Sequence, residues 1–280
     1  YEKVFYPLIL ITKKRYVGEK YEFDVNKGKL TSMGIVLKRR DNAQILKHVY
    51  SGVINIIMKE RNIQKAIDFT QQCCQEILDG KYDLSMFTIT KTLKDFYKDP
   101  ESIAHKVLAE RMGERDSGNK PAVNERIPYA YIKVENKSGV KLLQGDKIEH
   151  IDYIKENKLE LDYKAYISNQ ILKPVSQIFE LIIEKLDKFP YQLNHYDVLY
   201  YIYLEKYLND IKKTEIKISK EKQKVIKKLI FDKFLLDKKN NIKINTFYKI
   251  EKKIKPKIKK VYVKVEHTIK KQTNIRDWFK

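Results

Sequence analysis

The chain opens on an apolar run, Val4-Phe5-Tyr6-Pro7-Leu8-Ile9-Leu10-Ile11, which is followed almost at once by Lys13-Lys14-Arg15-Tyr16. The run is rich in branched and aromatic residues, long enough for a buried strand and too short for a typical helix. Residues 21–23 and 34–37 flank a turn-forming cluster at 26–29 and predict a hairpin. Residues 1–40 are therefore predicted to be β-structure.

From residue 41 onward the apolar residues recur every three or four positions, which predicts two amphipathic helices. Gly80 is placed to end the second helix. Cys73 falls on the apolar face of that helix, where we expect it to act as a small core hydrophobe. The apolar positions of the two helices are Ile45, Val49, Val53, Ile56 and Ile57, and then Ala66, Phe69, Cys73 and Ile77.

The remaining segments are mixed. We predict a strand at 88–90, a helix from Pro100 to about Met112, a polar loop at 113–124 and a strand at 127–134. A helical pair is predicted over 161–186 with a break near Pro174, because proline lacks the backbone donor. Tyrosine-rich and then lysine-rich helices follow residue 190. The stretch 254–264 fits either an edge strand or a linker. The predicted fold class is α+β.

Charge is distributed unevenly along the chain, which has 280 residues, 58 Lys+Arg and 37 Asp+Glu, a net +21. Residues 201–280 hold 25 basic and 9 acidic residues, and residues 1–200 hold the other 33 and 28. A basic tail attracts polyanions, of which nucleic acid is the commonest inside cells. A second interpretation remains open, in which the lysines reflect codon bias on a solvated surface.

Composition excludes several classes of protein. A hydrophobic content of 42% with only 9 Gly and 7 Pro argues against disorder, and no apolar run approaches the length of a membrane span. Cys73 and Cys74 are the only cysteines, which favours a reducing, intracellular compartment. The chain starts at Tyr1 without Met and without a visible signal peptide, so we expect a fragment of a longer protein.

Two short basic clusters follow predicted strands. Lys13-Lys14-Arg15-Tyr16 suits duplex contact, because the cations can bind phosphates while the ring packs against sugar or base in the minor groove. Lys38-Arg39-Arg40-Asp41 lies where the strands give way to helices. Each cluster alone is a weak signal, since such clusters usually lie in solvent.

Taken in order with later motifs, the clusters resemble family B DNA polymerases, in particular delta-type enzymes. The "KKRY" and "RRDN" stretches are typical of the segment after the catalytic strands of that family. The resemblance covers about two thirds of the chain and rests on six ordered matches. The later matches are Ile89-Thr90-Lys91-Thr92-Leu93, the helix from His105 to Arg115, Gly118, Arg126-Ile127-Pro128-Tyr129, and YKAYISNQILKPVSQIF at 163–179.

The resemblance implies the C-terminal part of a polymerase palm at 1–40, a thumb at 41–190 and a Lys-rich extension at 191–268. By motif match, Lys14 and Tyr16 would sense the primer–template minor groove. For Arg39 and Arg40, an ion pair to Asp41 or another acid is a competing interpretation. The residues expected to contact DNA are Lys13, Lys14, Arg15, Tyr16, Arg39, Arg40, Lys91 and Arg115.

The sequence also departs from the family pattern. The D-x-x-S-L-Y-P and D-T-D motifs, whose carboxylates hold the catalytic metal ions of the family, do not occur in it. We therefore predict no catalytic residue, metal ligand or cofactor in this chain, and Mg²⁺ only for the full-length enzyme. The paired zinc modules of cellular relatives are also missing, because no cysteine follows residue 190. Large DNA viruses carry delta-like polymerases without such modules, so the resemblance implies a viral member of the family.

The last twelve residues carry a separate signal. Residues 269–280 resemble the peptide that binds sliding clamps of the PCNA type, Q-x-x-[ILM]-x-x followed by two aromatic residues. One helical turn would put three apolar side chains on one side, and the glutamine would reach a polar pocket. The alternative is a helix end that packs on its own domain. The matching residues are Gln272, Ile275, Trp278 and Phe279.

These observations predict the C-terminal part of a DNA-directed DNA polymerase, inactive by itself. We expect it to bind primer–template DNA, a sliding clamp and the rest of the polymerase chain, and no membrane. We expect it in the nucleus or in a cytoplasmic viral replication factory. The alternative is a stand-alone basic nucleic-acid-binding protein without catalytic activity. A reading frame that continues upstream into a D-T-D motif would separate the two.

Overall fold

A computed structural model of the chain describes residues 3–22, 24, 26–134, 142–186 and 195–236. The chain divides into two units, Tyr1–Ile182 and Ile183–Lys280. The first unit contains two three-stranded antiparallel sheets together with helices, and the described part of the second is helical. The mixed helix and sheet content that the sequence predicts is confirmed.

The first sheet has the order β1-β2-β3, formed by Val4–Thr12, Arg15–Tyr21 and Lys29–Met33. The predicted first strand is confirmed. The hairpin across 26–29 is also present, but the prediction that its second strand is 34–37 is wrong. Gly34 has a φ of +61°, which ends the extended strand, and Val36–Lys38 forms a 3₁₀ turn.

Two helices follow the sheet, as predicted. Helix α1 spans Gln44–Asn55 and helix α2 spans Ile63–Leu78, and a π-helical turn at Ile56–Glu60 lies between them. The side chain of Asn62 caps α2 by accepting a hydrogen bond from the amide of Lys65 at 2.8 Å. Gly80 adopts a φ of +68° just beyond α2 and ends it, as expected.

Both cysteines of α2 are buried and reduced. Burial raises the pKa of the Cys73 thiol to about 11, so this sulfur stays protonated at neutral pH. The prediction that Cys73 belongs to the core is confirmed.

The second sheet has the order β4-β5-β6, formed by Ile89–Thr92, Arg126–Tyr131 and Ile148–His150, and it follows a short helix, α3, at Leu84–Phe87. Helix α4, Ala104–Arg115, lies between β4 and β5 in the sequence. It ends three residues beyond the expected Met112, so the polar loop starts later than predicted. Helix α5, Ile151–Asn157, follows β6.

The predicted break at Pro174 is wrong. Helical structure runs from Tyr163 to Phe179 through α6 (Tyr163–Ala165), a π-helical stretch (Tyr166–Ile171) and α7 (Leu172–Phe179). Pro174 is the third residue of α7 and has no N–H for the carbonyl of Gln170, which lies in the π-helical stretch. The wider π-helical register accommodates the missing bond and the helix continues.

The second unit contains the predicted tyrosine-rich and lysine-rich helices. They are α8 (His195–Lys206) and α9 (Ile211–Ile226), after which a π-helical turn and α10 (Asp232–Leu235) follow. Asp210 caps α9 by accepting a hydrogen bond from the amide of Lys213 at 3.0 Å. The stretch 254–264 and the predicted clamp-binding tail lie outside the described residues. No helix in the described ranges is long and apolar enough to cross a bilayer.

Candidate nucleic-acid interface

Lys13 and Lys14 form the two-residue turn between β1 and β2, since Thr12 pairs directly with Arg15. Lys14 has a φ of +63°, which a tight hairpin turn requires. Both lysines are exposed, and neither forms an ion pair with a described residue. The hairpin therefore projects two unpaired cations into solvent at its tip.

Gly34, the first residue after strand β3, packs against this turn. A Cβ atom at Gly34 would lie 2.2 Å from the carbonyl oxygen of Lys14, which is closer than any side chain can approach. The chain after β3 therefore passes directly against the turn. This contact brings the start of the segment that contains Arg39 and Arg40 close to the lysine pair.

The other two residues of the first basic cluster are partly buried and each contacts another side chain of the protein. Arg15 donates from Nη2 to Oε1 of Gln177 in α7, at 3.0 Å, and both side chains are partly buried. The Tyr16 ring packs edge-on against Phe5, with ring centroids 5.5 Å apart. The cluster thus divides into two exposed lysines at the tip and two anchored residues at its base.

Arg39 and Lys91 share one carboxylate. Arg39 donates from Nε and Nη2 to the two oxygens of Asp41, at 3.1 and 3.0 Å, and Lys91 Nζ lies 2.6 Å from Asp41 Oδ2. The hydrogen bonds from Arg39, followed by those from Lys91, hold the pKa of Asp41 well below its usual range. Of the two interpretations for Arg39, the ion pair to Asp41 is present in the structure.

Arg40 differs from its neighbour. Its side chain is exposed and forms no ion pair with a residue that the structure describes. Since Asp41 already binds two cations, it does not neutralise Arg40. Arg40 therefore joins Lys13 and Lys14 as an uncompensated charge.

Arg115 is held by an internal network. Its Nη2 lies 2.9 Å from Oε2 of Glu149, a carboxylate that is only 3% exposed, and its guanidinium stacks 3.7 Å above the ring of Tyr153. Arg111 approaches the same carboxylate at 3.5 Å. Glu149 is thus a buried acid compensated by two arginines.

Sequence reasoning anticipated Asp41 as a partner of Arg39, but it missed the partners of Arg15, Lys91 and Arg115. Gln177 lies 162 residues from Arg15, and no local pattern connects them. Another missed pair is Arg61 with Tyr6, in which the guanidinium donates to the phenol oxygen at 2.8 Å. The apolar run that predicted β1 gives no sign of this contact.

The described residues contain no group of three or more His, Cys, Asp or Glu side chains arranged to hold a metal ion. The acidic groups near the basic clusters are instead bound to cations, as Asp41 and Glu149 illustrate. Carboxylates that are already paired with cations do not fit the Mg²⁺ site that a polymerase uses.

Comparison with known proteins gives a consistent result. A family model described as DNA polymerase family B matches residues 1–182. The chain is 48% identical over 238 residues to a DNA polymerase of Pyramimonas orientalis virus, which covers 84% of this chain and 19% of that relative. It is 50% identical over 189 residues to a DNA polymerase of Acanthamoeba polyphaga mimivirus, and this match covers 67% of this chain and 11% of that relative.

A cellular relative is also similar. The chain is 36% identical over 189 residues to the DNA polymerase delta catalytic subunit of Glycine max, covering 67% of this chain and 17% of that relative. The family model matches more than half of the chain, so the chain belongs to DNA polymerase family B. The predicted resemblance to delta-like and viral members is confirmed. The chain spans less than a fifth of the length of these relatives.

Proposed function

We propose that this chain is the C-terminal part of a delta-like, DNA-directed DNA polymerase that takes part in DNA replication. Family membership and the length of the relatives support this proposal. The catalytic carboxylates and their Mg²⁺ ions then belong to the remainder of the full-length protein, and this chain alone is inactive. The polymerase acts in the nucleus or in a cytoplasmic viral replication factory.

Within that enzyme, residues 1–40 form the end of the palm and 41–190 the thumb, and together they bind primer–template duplex. The observation that carries this proposal is the hairpin turn, which exposes Lys13 and Lys14 without an acidic partner among the described residues. Gly34 packs directly against the turn. Arg40, six residues further along the chain, adds a third uncompensated charge. Cations of this kind bind phosphates irrespective of base sequence.

The other predicted contact residues have a different part in the proposal. Arg15, Arg39, Lys91 and Arg115 each have a partner within the chain. Any contact that these four make with DNA must share or replace an existing bond. Tyr16, which packs on Phe5, is proposed to present its ring edge to the minor groove from the base of the turn.

Residues 269–280 are proposed to bind a sliding clamp. This proposal rests on the sequence pattern Gln272, Ile275, Trp278 and Phe279 alone. Three apolar side chains on one helical turn fit an apolar groove, and the lysines before them favour an acidic partner surface. Such a contact would hold the polymerase on its template.

Duplex binding across a salt series tests the proposed function. If the chain binds through phosphates, the logarithm of the association constant falls linearly with the logarithm of salt concentration. Duplexes of different base sequence should bind equally well. A flat salt dependence, or a strong preference for one sequence, would overturn the proposed backbone contact.

A further inference from the structure

A cavity of about 300 Å³ lies beside the Lys91–Asp41 pair in the first unit. Its walls come from the loop before α1, strand β4, the start of α4 and strand β5, and two further segments contribute Gln144 and Gln170. The cavity is partly open to solvent, and most of the side chains around it are polar. Those that carry the inference are Lys91, Ala104, His105 and Tyr129.

Tyr129 brings an unpartnered hydroxyl to this cavity. The residue is 6% exposed, and its hydroxyl forms no hydrogen bond with any described residue. The neighbouring phenol of Tyr166 is different, because it donates to the carbonyl of Phe87 at 2.7 Å. A phenol hydroxyl that lines a cavity and has no protein partner is free to donate to a group that enters the cavity. Burial raises the pKa of Tyr129, so its hydroxyl keeps the proton it can donate.

The N-terminus of α4 contributes a second set of donors. This helix has twelve residues, its N-cap is Ile103, and no side chain caps it. The amides of Ala104 and His105 form no hydrogen bond with a described residue, whereas the next two amides bond to the carbonyl of Ile103. Uncapped amides at the start of a helix, together with the helix dipole, favour an anion.

Lys91 supplies the positive charge. Its ammonium uses one N–H for Asp41, which leaves two for another acceptor. Asp41 also lines the cavity, but two cations bind its carboxylate, so the three-residue group carries a net positive charge. His105 stays neutral, since burial and the nearby Lys91 lower its pKa, and its Nε2 is 3.0 Å from the hydroxyl of Tyr97.

We propose that this cavity binds a phosphate group through the amides of Ala104 and His105, the ammonium of Lys91 and the hydroxyl of Tyr129. These donors come from three different elements and surround one space, which suits an anion with several acceptor oxygens. The phosphate can belong to a nucleic-acid backbone or be free in solution. The inference rests on the proposed function only for the choice between these two sources.

The test uses inorganic phosphate and the whole chain. Titration should shift the backbone amide signals of Ala104 and His105 in heteronuclear NMR spectra. Calorimetry should show about tenfold weaker binding for Tyr129→Phe and for Lys91→Met. Two matched controls lie outside the cavity: Tyr153→Phe, and Lys106→Met on α4, where the lysine pairs with Glu110. Both controls should bind phosphate like the unaltered chain.

A primer–template duplex then identifies the source. Displacement of inorganic phosphate by the duplex assigns the site to a backbone phosphate, and simultaneous binding assigns it to free phosphate. If phosphate binds as expected but the duplex does not bind at all, the proposed function fails and this inference stands. The inference is overturned if phosphate leaves both amide signals unchanged, or if neither variant weakens binding.

Discussion

Arg15 and Gln177 are joined by a hydrogen bond of 3.0 Å that connects the first strand after the lysine turn to helix α7. The bond ties the base of the hairpin to the helical part of the first unit, across 162 residues of sequence. Because Lys13 and Lys14 immediately precede Arg15, the same bond also fixes the position of the turn relative to α7. The exposed cations are therefore held on a rigid support.

Gln177→Ala should reduce the free energy of unfolding by about 1–2 kcal/mol, because the partly buried guanidinium of Arg15 loses its acceptor. Gln177→Glu keeps an acceptor and should retain most of the stability. Urea unfolding of the chain measures both. Gln64→Ala, which removes an exposed hydrogen bond to Asp68, serves as the control and should change stability by less than about 0.5 kcal/mol. Equal effects of the two changes at position 177 would contradict the assigned bond.

Glu149→Gln should be more damaging, because it leaves Arg115 and Arg111 beside a buried site without a compensating charge. We expect a loss of about 3 kcal/mol in unfolding free energy. The matched control is Glu110→Gln, whose carboxylate pairs with two lysines at the surface, and its cost should stay below about 1 kcal/mol. A similar loss of unfolding free energy in both variants would refute the claim that burial makes the charge of Glu149 more important for stability than that of Glu110.

Protonation of His105 should destabilise the fold below neutral pH. Burial and Lys91 lower the pKa of His105 below its usual value, so the unfolded chain binds the proton more readily. Its contribution to stability is complete above about pH 6.5 and declines as the pH falls toward the folded-state value. His195, whose pKa is lowered by burial, adds to the same decline. Thermal melts between pH 7 and 5 should show a smaller decline for His105→Asn; an unchanged decline would count against this role.

The C-terminal peptide gives a separate prediction. A synthetic peptide of residues 268–280 should bind a sliding clamp of the PCNA type, and Phe279→Ala should abolish binding because it removes one of three apolar anchors. Thr273→Ala lies outside the pattern and should have little effect. Fluorescence polarisation with labelled peptide measures all three. Binding that survives the loss of Phe279 would mean that the anchors are misidentified.

The sequence predicts local features of the fold better than distant ones. Apolar periodicity predicted α1 and α2, and the glycine at position 80 predicted the end of α2, because these signals act over a few residues. The prediction of a strand at 34–37 was wrong because Gly34 has a positive φ at the point where the chain packs against the carbonyl of Lys14, a contact that the local sequence does not reveal. The continuous helix through Pro174 depends on a π-helical stretch that proline rules do not anticipate.

In the candidate site, too, local features could be predicted from the sequence and distant contacts could not. Motif order was sufficient to indicate the family, and the two basic clusters could be found from their charge. The local pair of Arg39 with Asp41 was among the predictions, but the partners of Arg15, Lys91 and Arg115 could not be predicted, because these three residues reach Gln177, Asp41 and Glu149 through tertiary contacts. The phosphate cavity was missed for a similar reason, since its walls come from six separate segments.

The most direct test of the account compares the salt dependence of duplex binding for the unaltered chain and for the triple variant Lys13→Ala, Lys14→Ala, Arg40→Ala. Each cation that contacts a phosphate adds about 0.9 to the slope of the logarithmic plot. The triple variant should therefore bind more weakly and show a slope lower by between two and three. Lys59→Ala, which removes another exposed lysine, should leave the slope unchanged. An unchanged slope in the triple variant would contradict the central claim that the hairpin turn and Arg40 bind the DNA backbone.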